Sequence, residues 1–129
     1  MLDRPHLTLL LLMSLALFLA ACGSESRPNP LIWEMDWNEM VGVIPEKDSL
    51  GSPPDQDTCQ TTLAAIREHT SGLLPSPSVP IDDLANEWIT IAEAAFFGCP
   101  PEGQEIGSFD DAYTELSRIE QSIRSALDD

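Results

Sequence analysis

With 129 residues the chain holds one small domain at most. Its 22 acidic residues against 6 basic ones give a formal net charge of −16. That balance excludes the usual nucleic-acid binder, which needs Lys and Arg to release phosphate counterions, and adsorption to anionic lipid through a basic segment. Eleven prolines and an aromatic content of 6% place part of the chain outside any packed core.

Residues 7–21 read LTLLLLMSLALFLAA. The run is uncharged and apolar, of a length that suits the central region of a signal peptide and is short for a membrane-spanning helix. Arg4 and the terminal amine precede it, with Asp3 offsetting one charge. It ends in Leu19-Ala20-Ala21-Cys22. This ending resembles the lipobox of bacterial lipoproteins: Leu, two small residues, then Cys. Small residues let an extended backbone enter a narrow protease groove, and Leu fills one pocket. The resemblance covers residues 1–22 only.

The resemblance implies that the Cys22 thiol receives a diacylglyceryl group and that a peptidase cuts before it. Cys22 then becomes the first residue, with its amine open to acylation. Two acyl chains are enough for stable anchoring, where one is marginal. Removal of Asp3 together with Arg4 leaves the charge of residues 22–129 at −16. The implied location is extracytoplasmic, on the cell membrane or the outer membrane, where disulfides are permitted. Gly23 lacks the Asp that signals inner-membrane retention in two-membrane bacteria. The competing reading is an ordinary signal peptide, or a membrane anchor in which Cys22 is incidental.

The expected organisation is a signal peptide over 1–21, a lipid-anchored tether over 22–54 and an acidic helical domain over 55–129. GSESRPNP and PEKDSLGSPP lack hydrophobic periodicity and read as flexible. Between them, Trp33, Trp37, Met40, Val41 and Ile44 fall on one helical face. Gly42 weakens that helix and Pro45 ends it. This short helix, over about 31–41, either packs on the domain or docks a partner through Trp33, Trp37 and Met40. A membrane-surface role is disfavoured, because the polar face carries no Lys or Arg.

Three longer helices follow. The first runs from about Pro53 to Leu73, with Cys59, Thr62, Leu63, Ile66, Thr70 and Leu73 on one face. The second runs from about Ile81 to Gly98. Its stripe of Ile81, Leu84, Ala85, Trp88, Ile91, Ala92, Ala95, Phe96 and Cys99 is the strongest periodic pattern in the chain. The third runs from about Phe109 to Leu127, with Phe109, Ala112, Tyr113, Leu116, Ile119, Ile123 and Leu127 aligned. Ser108 and Asp111 resemble a capping box, and Glu120 can pair with Arg124 at four-residue spacing. No segment alternates with period two long enough for a strand. The fold class is all-α: a three-helix bundle with room for a fourth short helix.

The remaining cysteines test this arrangement. Consecutive helices joined by a short loop are antiparallel neighbours. That puts Cys59, near the start of one helix, beside Cys99, at the end of the next. The helix portions between them span roughly 21 and 26 Å at 1.5 Å per residue, so the two ends nearly coincide. A Cys59–Cys99 disulfide is expected, and the alternative is two buried thiols.

No catalytic constellation stands out. His6 lies in the signal peptide, which leaves His69 as the one histidine of residues 22–129. There is no zinc, di-iron, nucleophile-elbow or phosphate-loop motif. DQDTCQ has two Asp at calcium-like spacing but lacks the loop Gly and the downstream Glu. Phe97 points away from the Trp88 stripe and is a further candidate for partner contact. No cofactor or metal is expected beyond the lipid on Cys22, and no nucleic acid. The expected function is a non-catalytic binding or scaffolding lipoprotein at the cell envelope, with the membrane and an envelope protein as partners. The alternatives are a small-ligand carrier with a pocket lined by Trp88, Phe96 and Tyr113, and then an enzyme.

Overall fold

The dipeptide Asn29-Pro30 opens the first helix for two local reasons. Asn29 Oδ1 accepts a hydrogen bond from the Leu31 amide at 2.9 Å, and Pro30 has no amide hydrogen left unsatisfied in the first turn. Helix α1 then runs Pro30–Gly42. A 3-10 turn follows at Lys47–Ser49. Helices α2 (Gln56–Thr70), α3 (Val79–Phe97) and α4 (Gly107–Asp128) complete the order. This is a computed structural model, and it describes residues 26–51, 54–97, 99 and 107–129. Among them there are four helices and no strand.

Helix α3 is the central element and packs against both α2 and α4. The stripes explain why. Ile81, Ala85, Trp88, Ala92 and Phe96 of α3 are buried, as are Cys59, Thr62 and Ile66 of α2 and Leu116, Ile119 and Ile123 of α4. Ile89, one position off the expected stripe, is buried too, because a helix with two neighbours needs a wider apolar arc. Phe96 meets Phe109 edge-on at 5.8 Å, which closes the α3–α4 seam.

Helix α1 joins the same core. Trp33 and Trp37 stack at 5.6 Å, and Trp37 meets Trp88 of α3 edge-on at 5.2 Å. The Trp33 indole donates to the Leu73 carbonyl. The Trp88 indole donates to Glu120 Oε1 at 3.0 Å, so Glu120 serves α3 rather than the expected Arg124 pairing. Every fully buried side-chain nitrogen or oxygen among the described residues has a partner, as a low-dielectric interior requires.

Three boundary expectations change. The connection after α1 is not a free tether. Leu50 packs on the core, and the Pro45 carbonyl accepts a 2.6 Å hydrogen bond from the Tyr113 hydroxyl. Helix α2 starts after Asp55, whose carboxylate accepts from the Thr58 amide at 3.1 Å, three residues later than the expected start near Pro53. Helix α4 starts at Gly107, which places Ser108 inside the helix instead of at its cap.

Candidate functional site

Leu19, Ala20, Ala21 and Cys22 lie outside the described residues. The other two cysteines are joined to each other, with their Cα atoms 6.3 Å apart, within the ordinary range for a disulfide. The bond ties the start of α2 to the residues just after α3.

The residues named for partner contact separate into two groups. Trp33, Trp37 and Met40 are at most 4% exposed and belong to the core. Their face is therefore spent inside the domain, which is the first of the two readings left open for this helix, packing rather than docking through Trp33, Trp37 and Met40. Trp33 stacks on Trp37, Trp37 meets Trp88 of α3, and the Trp33 indole donates to the Leu73 carbonyl after α2, so the stripe has its partners inside the domain. Phe97, by contrast, is exposed. It borders a shallow groove of about 400 Å³ with Arg67, Ile89, Thr90, Glu93 and Ala94.

Trp88 and Phe96 sit edge-on against Trp37 and Phe109. Tyr113 lies elsewhere, on an open groove of about 390 Å³ that also touches Ile44, Lys47, Leu116 and Glu120. The three aromatics considered for a carrier pocket thus face different surroundings. Burial pushes the Tyr113 phenol up to about 12, and it stays protonated as a donor to Pro45. Lys47 pairs with Asp110 at the groove rim, and that bond raises its ammonium above the ordinary lysine value.

A different cluster was not legible as a site. Arg27 Nη1 donates to Asp82 Oδ2 at 2.8 Å and to the Ser76 carbonyl at 2.9 Å. The Ser76 amide donates to Asp82 Oδ1 at 2.6 Å. Burial works against the charged form of Asp82, but the hydrogen bonds from Ser76 and Arg27 outweigh it and hold the carboxyl below the ordinary carboxylate range. These contacts pin residue 27 to the start of α3. They correct the reading of GSESRPNP as uniformly free chain, since Arg27 and Asn29 both have fixed partners. The signal was weak because the ion pair spans 55 residues of sequence and follows no periodicity.

Among the described residues no group of three or more His, Cys, Asp or Glu is arranged to hold a metal. None of their helices is long and apolar enough to cross a membrane. Comparison with protein-family models, with curated proteins and with solved structures finds no match to this chain.

Proposed function

We propose that the chain is a lipid-anchored, extracytoplasmic lipoprotein whose helical domain acts as a non-catalytic binding or scaffolding module at the cell envelope. The observation that carries this is the ending Leu19-Ala20-Ala21-Cys22 on an uncharged apolar run. The pairing of Cys59 with Cys99 supports it, because it leaves Cys22 as the odd cysteine. A short acidic domain with a disulfide suits an oxidising compartment. The choice of binding over catalysis rests on the sequence, where His69 is the sole histidine after the signal peptide and no nucleophile or phosphate motif occurs.

Metabolic labelling with a clickable fatty acid tests the anchor. Wild-type protein is expected to take the label and Cys22→Ala to lose it. Equal labelling of the two would overturn the reading. Crosslinking in living cells, with identification of the captured protein, then names the partner.

A further inference from the structure

Five large hydrophobic side chains are exposed among the described residues: Leu31, Ile32, Met35, Val79 and Phe97, at 58–77%. Single exposed apolar residues are ordinary. Their distribution here is not. Leu31, Ile32 and Met35 form a contiguous patch on the first turns of α1, on the side away from the buried Trp33 and Trp37. Val79 opens α3 within the Ser76–Asp82 stretch that Arg27 clamps, so it belongs to the same end of the bundle. Phe97 stands at the other end of α3, roughly 27 Å away along a 19-residue helix.

The clustered end is the end from which the chain leaves toward Cys22. Arg27 is fixed to α3, which leaves Gly23–Ser26 between the clamp and the cysteine. Fully extended, that connection places Arg27 within about 18 Å of the Cys22 Cα. Leu31 and Ile32 follow in the first turn of α1, after the non-helical Pro28 and Asn29. If Cys22 carries acyl chains, the apolar patch is held within reach of the headgroup region, whereas Phe97 is held away from it. An apolar helix face at that depth is buried among headgroups and acyl boundary, which removes its surface from water.

We infer that Leu31, Ile32, Met35 and Val79 seat the domain on the bilayer that holds its own lipid anchor, so that the first turns of α1 and the start of α3 meet the lipid surface and the Cys59–Cys99 end points outward. The occupant is lipid rather than a protein, because the short connection delivers this face to the bilayer before any other surface. The inference rests on lipidation of Cys22. The seat is apolar and not electrostatic: Arg27, the basic residue of this corner, is neutralised by Asp82, while the exposed Asp36 and Glu39, one turn beyond Ile32 and Met35, confine the seat to the first turns of α1. The disulfide-linked end, with Phe97 and the Tyr113 groove, is then the surface presented to envelope partners.

The full-length protein in membranes of the expressing bacterium provides the test. The photoreactive residue p-benzoylphenylalanine is placed at Ile32, at Met35 or at Phe97, and the N-terminal peptide is weighed in parallel. Expected are phospholipid adducts at Ile32 and Met35, none above background at Phe97, and loss of the Met35 adduct when Leu31→Asp and Ile32→Asp are added. A lipidated protein that gives no lipid adduct at Ile32 or Met35, or gives a protein adduct there, overturns the seat alone. So does a Met35 adduct that survives the two aspartates. A protein whose Cys22 carries no lipid overturns the lipoprotein reading and the seat together.

Discussion

The Trp33 indole nitrogen donates to the Leu73 carbonyl at 2.7 Å, linking residues 40 positions apart. This bond fastens α1 to the turn that follows α2. With Trp33 stacked on Trp37, and Trp37 against Trp88, it makes α1 part of the core instead of an arm held out for a partner.

Trp33→Phe keeps a ring in place but leaves the Leu73 carbonyl without its donor. The expected loss is about 1–3 kcal/mol, the penalty for an unsatisfied buried polar group. Trp33→Ala also opens a cavity and is expected to cost about 3–5 kcal/mol. Urea unfolding followed by circular dichroism reads both. An unchanged midpoint for Trp33→Ala would show that α1 is not part of the cooperative unit.

The disulfide closes a loop with a sequence separation of 40 residues. In the chain-entropy model such a link contributes roughly 4 kcal/mol. The double variant Cys59→Ser, Cys99→Ser is expected to lose up to that amount, read as a lower urea midpoint. Thiol counting on denatured, unreduced residues 23–129 is expected to find no free cysteine. Two free thiols would remove the bridge from the account.

Asp82 sets a pH dependence. Its carboxyl is held below the ordinary range by Ser76 and Arg27, so the folded state binds its proton less readily than the unfolded chain. The stabilisation is fully present above the unfolded value of about 3.9 and is lost as pH falls through the lower folded value. Asp82→Asn is therefore expected to be less stable than wild type at pH 7, by about 1.5–3 kcal/mol for hydrogen bonds to a charged group. The gap should close as the pH drops below about 4. A gap of constant size across that window would assign the effect to packing instead of charge.

The helices were legible because apolar residues at spacings of three and four lie on faces that the fold buries. Trp33, Trp37 and Met40 carry this pattern in α1, and Phe109, Leu116, Ile119 and Ile123 carry it in α4. The Cys59–Cys99 pairing followed from antiparallel neighbours of similar length. Less legible were features that depend on contacts across the chain. A stripe containing Trp33 and Trp37 looks the same whether it meets this domain or another protein, and only its contacts with Trp88 and Leu73 decide between them. The clamp from Arg27 to Asp82 has no local pattern. Asn29-Pro30, by contrast, was a cap signal in open view, and a polar, proline-containing context hid it.

The proposed lipoprotein requires Cys22 to be the lipidated first residue of the mature protein. Mass spectrometry of the N-terminal peptide, from protein extracted out of bacterial membranes with detergent, addresses it most directly. The expected peptide begins at Cys22 and carries a diacylglyceryl group on its thiol. A peptide that begins at any other residue, or an unmodified Cys22 thiol, would contradict it.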